Sequence, residues 1–116
     1  MPPYADALAG LAALPGVAGV ALVNTDGLPI DVRGRGLDPD EMAALAATLL
    51  RHSDHLGAAL RGGHARTVVF EFDDALAVLG RLDQETAVVV ALQPGQSAAV
   101  VLTSLRTLQR RGVLAS

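Results

Sequence analysis

The fold is decided by residues 14–30, which read LPGVAGVALVNTDGLPI. Residues 17–23 carry no polar side chain, and a strand that is apolar on both faces must be covered on both faces. Asp26-Gly27 is a strong hairpin signal. Residues 28–33 then alternate apolar and polar side chains and include Pro29, which cannot donate a ladder hydrogen bond. This stretch therefore predicts a hairpin that joins a central strand to an edge strand.

Helices are predicted on both sides of this hairpin. Residues 4–14 have apolar side chains at helical spacing and many alanines, the best helix former. A long second helix begins at Asp38, a good N-cap residue, with Pro39 at its first position and Glu41 three residues after the cap. We expect this helix to end near Leu60, because two glycines follow shortly after.

The second half of the chain predicts three more strands and a closing helix. Residues 65–82 indicate a hairpin with a two-residue turn at Asp73-Asp74, although a four-residue turn is the alternative. The two-residue turn places Phe70 opposite Ala77, so that a large side chain fills the space beside a small one. Residues 86–92 are apolar throughout and predict a second central strand.

The element order α-β-β-α-β-β-β-α defines the expected fold class. Two fully apolar strands need cover on both faces, and three helices are available to supply it. We therefore expect an α/β protein, a three-layer sandwich with a five-stranded, mostly antiparallel sheet and helices on both faces. The 116 residues suit a single domain spanning residues 1–116.

The composition excludes several classes of function. The chain has no cysteine, which removes disulfides, thiolate metal sites and cysteine nucleophiles. Its net charge is −3, whereas a surface that coats nucleic acid needs a basic excess, so we expect no nucleic-acid partner. No apolar run approaches the ~20 residues that span a bilayer. We therefore expect no membrane insertion and a soluble, cytoplasmic protein.

The residues that could hold a metal or cofactor form only a weak cluster. His52, Asp54 and His55 lie close together on the second helix, and His64 is the one further ligand in view. Solvated helix side chains are the favoured interpretation of this cluster. A phosphate-binding loop is excluded because the chain has no lysine. We therefore expect no bound metal and no cofactor.

A catalytic nucleophile is equally hard to find. Adjacent aspartates such as Asp73-Asp74 usually satisfy local backbone donors in a turn. Three serines lie on or next to predicted helices: Ser53, Ser97 and Ser104. None of them stands in the Gly-x-Ser-x-Gly motif that exposes a nucleophilic serine. We expect Ser97 to cap the closing helix instead. The sequence therefore predicts a protein that is not an enzyme, with no catalytic residue.

The second helix carries more apolar surface than one sheet face needs. One stripe is rich in leucine and consists of Met42, Leu45, Leu49, Leu56 and Leu60. A second stripe is built mostly of small residues and consists of Ala43, Ala46, Ala47, Leu50 and Gly57. A helix that is apolar most of the way round is usually buried on more than one side. We expect the leucine stripe to pack on the sheet and the alanine stripe to meet a partner helix, although alanine as mere filler is the alternative.

The strand from Thr67 onwards offers a second contact surface. If it lies at the edge of the sheet, its unpaired backbone groups invite a second chain, and Thr67, Val69 and Glu71 would form that part of a dimer interface. The hairpin register also places Arg66 opposite Arg81, and like charges that face each other across a strand pair are destabilising. We expect both side chains to splay into water, with the alternative that they form an anion-binding spot for a partner's carboxylate.

The order of these elements and several short sequence segments resemble those of a known protein family. A short helix leads into LPGVAGVALV at residues 14–23, then DGLPI at 26–30, then a long helix that opens with DPDEM at 38–42. Three strands and a closing helix complete the pattern. Over nearly its whole length the chain is similar to the roadblock/dynein-light-chain family, and most similar to the bacterial MglB-type members.

The resemblance implies a quaternary structure and a role. Such proteins form homodimers in which edge strands pair into one continuous sheet and the second helices lie side by side. They act as non-catalytic platforms that bind and regulate Ras-like small GTPases. The MglB-type members stimulate GTP hydrolysis by an MglA-type GTPase in cell polarity and motility, by repositioning the GTPase's own residues. No short motif here matches a GTPase contact, so the resemblance assigns no contact residue.

Two other functions stay open at this point. A protein of the same fold can act as a structural adaptor that bridges other proteins without a GTPase. A small-ligand sensor on an α/β sandwich is the third option. It is disfavoured because aromatic residues, which commonly line ligand pockets, make up only 3% of the chain.

Overall fold

The computed structural model describes the backbone of residues 4–115 and the side chains of residues 4–110. Within this part of the chain the predicted element order is confirmed. The helices and strands are α1 (Ala5–Ala12), β1 (Val17–Asn24), β2 (Pro29–Gly34), α2 (Pro39–Ala59), β3 (Thr67–Glu71), β4 (Leu76–Arg81), β5 (Thr86–Leu92) and α3 (Ala99–Ala115). No helix in residues 4–115 is both long enough and apolar enough to cross a bilayer.

The five strands form one antiparallel sheet in the order β2-β1-β5-β4-β3. The two strands that are apolar at every position, β1 and β5, are neighbours in the interior of the sheet, as their sequences predict. The strand that contains Pro29, β2, lies at one edge. The other edge is β3, so one side of its backbone has no neighbouring strand in the described residues.

The β3–β4 hairpin has the predicted register. Phe70 lies opposite Ala77. At the end of the hairpin, the backbone N–H of Phe72 donates to the carbonyl oxygen of Ala75 at 2.9 Å, which closes a two-residue turn at Asp73-Asp74. The pairing of large with small side chains is therefore sufficient to place this turn.

Alternation along the strands divides the core into two layers. On β1, Val20 and Leu22 face the layer that holds α1 and α3, whereas Ala21 and Val23 face the layer that holds α2. The α1–α3 layer is dominated by leucine and valine. The α2 layer is built from smaller side chains, and its buried members are Ala21, Val23, Ala43, Ala46, Leu50, Leu79 and Ala87.

The long helix α2 begins where its capping residues predict. Asp38 accepts a hydrogen bond through Oδ1 from the backbone N–H of Glu41 at 3.2 Å, and Pro39 occupies the first helical position. The helix ends at Ala59, one residue before the predicted end. Its buried residues are Ala43, Ala46 and Leu50, so the first part of the helix packs most closely on the sheet.

Candidate functional site

The solvent-exposed surface of α2 carries a row of leucines. Leu45, Leu49, Leu56 and Leu60 are 49, 37, 62 and 71% exposed, and their spacing places them on one side of the helix. We call these four residues the leucine face. Exposed apolar side chains are common singly, but a contiguous row of them marks an interaction surface.

For these four leucines the orientation of α2 is the reverse of the predicted one, whereas Met42 of the same predicted stripe packs against the α2 layer of the core as expected. The stripe predicted to meet a partner helix lies inside the chain, where Ala43, Ala46 and Leu50 are 0, 1 and 2% exposed. The physical reason is that the strand residues beneath α2 are themselves small, Ala21 and Ala87 among them. Small side chains on both sides let the helix approach the sheet closely. The prediction that these three α2 residues contact a partner is therefore wrong.

The two remaining members of that stripe also face their own chain. Ala47 lies beside the β1–β2 turn, where its Cβ is 3.8 Å from the position that a Cβ would take at Gly27. A methyl group at Gly57 would overlap the carbonyl oxygen of Gly63, and the backbone N–H of Gly62 donates to the carbonyl oxygen of Gly57 at 2.8 Å. The loop that follows α2 folds back over Gly57, and this contact within the chain is sufficient to require a glycine there.

The edge strand β3 presents its backbone as predicted. Arg66 and Phe72 both form backbone hydrogen bonds towards β4, at 2.7 and 2.9 Å. Hydrogen-bonded and non-hydrogen-bonded pairs alternate along an antiparallel ladder. The N–H and C=O groups of Thr67, Val69 and Glu71 are therefore directed away from β4, towards the open edge. Val69 is also 46% exposed, so this edge offers both hydrogen-bonding groups and apolar surface.

Arg81 belongs to an internal ion pair. Its Nη1 and Nη2 donate to the two carboxylate oxygens of Asp54 at 3.1 and 3.0 Å, and its Nη1 also donates to the carbonyl oxygen of Ala65 at 3.0 Å. The expectation that the Arg81 side chain splays into water is therefore wrong, and so is the alternative that it forms an anion-binding spot with Arg66. Its guanidinium is already neutralised by a helix residue that lies far away in sequence.

The contacts of Asp54 explain its acidity. The Arg81 guanidinium holds the pKa of the Asp54 carboxyl well below its usual range, with help from the backbone N–H of Ala65 at 2.8 Å and from His64. Burial acts in the opposite direction but is outweighed. Asp54 is therefore ionised at neutral pH, and it joins α2 to β4 and to the loop between α2 and β3.

Arg66, the second residue of the predicted anion-binding spot, lies near arginines of α3. Arg66 lines an open cavity of about 930 Å³ together with Arg106 and Arg110 of α3. The remaining lining residues are Gly62, His64, Thr67 and Gln109. Sequence reasoning missed the two α3 arginines. The available signal was their i, i+4 spacing, which places both on one helical face.

The weak metal-like cluster is not assembled into a ligand set. His52 and His55 lie edge to face with ring centroids 6.2 Å apart, whereas Asp54 turns towards Arg81. His64 Nδ1 lies 3.2 Å from Asp54 Oδ2 but remains exposed. Within residues 4–110 no group of three or more histidine, aspartate or glutamate side chains is placed to hold a metal ion.

The serine and aspartate candidates have local structural contacts. Ser97 Oγ accepts a hydrogen bond from the backbone N–H of Ala99 at 3.1 Å, so it caps α3 as predicted. Asp73 and Asp74 are exposed in the β3–β4 turn. The features that distinguish this chain chemically are therefore its leucine face, its β3 edge and its arginine-lined cavity, all of which suit binding.

Comparison with known proteins assigns this fold. The family model described as Roadblock/LC7 domain matches residues 4–92. A Roadblock/LC7 domain from Streptomyces avermitilis has 32% sequence identity, with 96% of this chain and 98% of that chain covered and a TM-score of 0.79. No curated protein sequence matches the chain significantly.

Two MglB structures share the fold at lower identity. Myxococcus xanthus MglB has 16% identity, with 93% of this chain and 92% of that chain covered and a TM-score of 0.81. The gliding protein MglB from Thermus thermophilus has 13% identity, with 90% and 81% covered and a TM-score of 0.78. At these identities the likeness concerns the fold. The Roadblock/LC7 model matches most of the length of this chain, and the chain therefore belongs to the Roadblock/LC7 domain family.

Proposed function

We propose that this protein is a homodimeric, non-enzymatic regulator of a Ras-like small GTPase of the MglA type. The observation that carries the proposal is the leucine face, a row of apolar side chains on a helix that already fills its own sheet layer with other residues. Membership of the Roadblock/LC7 family and the fold shared with MglB supply the class of partner. Such a role belongs in the cytoplasm, in the control of cell polarity or motility.

The homodimer uses two surfaces of the monomer. In the first, β3 pairs with β3 of a second copy, through the outward-directed backbone groups of Thr67, Val69 and Glu71. This pairing extends the sheet and removes an exposed edge. In the second, the leucine faces of two α2 helices pack together. Fully burying a leucine side chain contributes about 1.5–3 kcal/mol, so several such side chains favour association substantially.

The regulatory step requires a rigid surface and no nucleophile on this chain. A small GTPase already carries the groups that bind its nucleotide and position water. A partner that holds those groups in their catalytic arrangement accelerates hydrolysis, because the groups then lose less conformational entropy on reaching the transition state. The firm attachment of α2 to the sheet through Asp54 and Arg81 suits such a platform.

The experiment begins with identification of the GTPase. The immobilised protein is incubated with lysate of the organism that encodes it, once with a non-hydrolysable GTP analogue and once with GDP. We expect a Ras-like small GTPase, identified by peptide sequencing, to be retained with the analogue. The purified GTPase is then assayed for GTP hydrolysis with and without the protein.

The outcomes separate the candidate functions. Faster hydrolysis supports activation, and nucleotide-dependent retention without acceleration supports a scaffold for the active form. Retention of other proteins and of no GTPase would contradict the proposal and favour the structural adaptor. As a matched pair for the dimer that the proposal requires, Leu49→Asp, which should dissociate the dimer and reduce GTPase retention, is compared with Thr48→Asp, its exposed neighbour outside the leucine face.

A further inference from the structure

The cavity between β3 and α3 concentrates positive charge on an otherwise acidic protein. Arg66, Arg106 and Arg110 line it, three of the nine arginines in a chain whose net charge is −3. Arg106 and Arg110 are one helical turn apart on α3. All three arginines are exposed at the lining of one cavity, so an anion that binds there is attracted by three positive charges.

No carboxylate in the described structure neutralises these arginines. Among the side chains of residues 4–110, the ion pairs join Arg33 to Asp31, Arg81 to Asp54 and His64 to Asp54. Among residues 4–110, no aspartate or glutamate lines the cavity. The segment 111–115, whose side chains the structure does not describe, has no acidic residue in its sequence either.

A buried amide holds the cavity in shape. Gln109 lies between the two α3 arginines and is only 9% exposed. Its Nε2 donates to the carbonyl oxygen of Arg66 at 3.0 Å and to Oγ1 of Thr67 at 2.9 Å. These two bonds join α3 to the start of β3, so the backbone that carries Arg66 is fixed relative to Arg106 and Arg110.

We propose that this cavity binds a phosphate-bearing anion with more than one negative charge, such as a short polyphosphate chain. Guanidinium groups present planar pairs of donors that match phosphate oxygens, and three of them suit a polyanion. The described residues that line the cavity supply cations and hydrogen-bond donors. These groups would bind the ligand through its phosphate oxygens.

Titration calorimetry with sodium tripolyphosphate tests the proposal on the full chain. We expect saturable binding that weakens with added salt, because part of the attraction is screened. Arg106→Gln and Arg66→Gln should each weaken binding by roughly tenfold or more. Arg35→Gln removes the same charge from an exposed loop residue outside the cavity and should leave binding unchanged. Circular dichroism verifies that each variant is folded.

Three results would overturn the proposal. The first is the absence of tripolyphosphate binding by the unmodified protein. The second is equal weakening by Arg35→Gln and Arg106→Gln, which would mean a general charge effect. The third is dissociation of a dimer into monomers by Arg66→Gln or Arg106→Gln, because the arginines would then be neutralised by a second copy of the chain.

A lipid headgroup and a free phosphoanion share this chemistry, and vesicles separate the two sources. The protein is sedimented with vesicles that contain cardiolipin, whose headgroup carries two phosphates, and with phosphatidylcholine vesicles. Selective retention on cardiolipin that is lost in Arg106→Gln supports the proposal with a headgroup as the source. Binding of tripolyphosphate without retention on either vesicle supports it with a free phosphoanion as the source.

Discussion

Arg81 at the end of β4 and Asp54 in the last third of α2 form a two-bond ion pair, with nitrogen–oxygen distances of 3.1 and 3.0 Å. The two residues lie 27 positions apart in sequence. The pair also binds the backbone of Ala65 through both its N–H and its C=O. One partly buried pair thus connects the long helix, the sheet and the loop that leads into β3, and it orients the surfaces available to partners.

The pair makes stability depend on pH in a defined direction. The folded-state pKa of Asp54 lies below its unfolded value of about 3.9, so its stabilisation is present above that pH and is lost as the pH falls. We expect Asp54→Asn to lower the free energy of unfolding at pH 7 by about 2 kcal/mol, since it removes charged hydrogen bonds. Urea unfolding at pH 7 and at lower pH measures this.

The difference between Asp54→Asn and the unmodified protein should become smaller below about pH 4. Asp31→Asn is the control, because Asp31 and Arg33 form an exposed ion pair at 3.3 Å that contributes about 0–1 kcal/mol. A destabilisation by Asp54→Asn that is the same at both pH values would contradict the role of its charge.

The leucine face is expected to hold two copies together. Leu56 is 62% exposed in the single chain, so Leu56→Asp leaves the core of the monomer intact. Placing a carboxylate in an apolar interface should raise the dimer dissociation constant by about 100-fold, an effect of about 3 kcal/mol. Sedimentation velocity measures the change. His55→Asp, on another side of α2, should remain dimeric, and dissociation of both variants alike would argue against a specific leucine contact.

The β3 edge is expected to pair through Val69. Its N–H is directed away from β4, so Val69→Pro removes a group that only a second chain can use. We expect this variant to fold and to dissociate more readily. Phe70→Pro removes a hydrogen bond to β4 and should instead destabilise the fold by about 3 kcal/mol.

Sedimentation combined with thermal unfolding distinguishes these two effects. If Val69→Pro sediments as the unmodified protein does, β3 does not form the dimer interface. Similar loss of fold in both proline variants would show instead that the edge assignment of Val69 is at fault.

Gly57 is expected to tolerate no side chain. In an ordinary helix interior, replacing glycine by alanine stabilises by about 0.5–1 kcal/mol. Gly57→Ala should instead destabilise by about 1–3 kcal/mol, because its methyl group would overlap the carbonyl oxygen of Gly63. Gly10→Ala is the matched control, since nothing lies within 4 Å of a Cβ at that helical position. Thermal unfolding measures both, and stabilisation by Gly57→Ala would contradict the contact.

Local patterns were sufficient for much of the fold. The apolar runs of β1 and β5 require two covered faces, and the capping residues Asp38 and Pro39 place the start of α2. The register of the β3–β4 hairpin follows from side-chain size, with Phe70 opposite Ala77. Each of these three features depends on residues that are close in sequence or on a single strand pair. The amino-acid sequence is therefore sufficient to predict them.

What the sequence by itself determined was the order of the elements, the two central strands and the exposed edge at β3. Only the tertiary structure decided which stripe of α2 is buried, because two apolar stripes compete and the small strand residues beneath select the alanines. It likewise decided that Arg81 pairs with Asp54 while Arg66 joins Arg106 and Arg110. Contacts between residues distant in sequence depend on how whole helices and strands pack together, and the local periodicity of the sequence does not determine that packing.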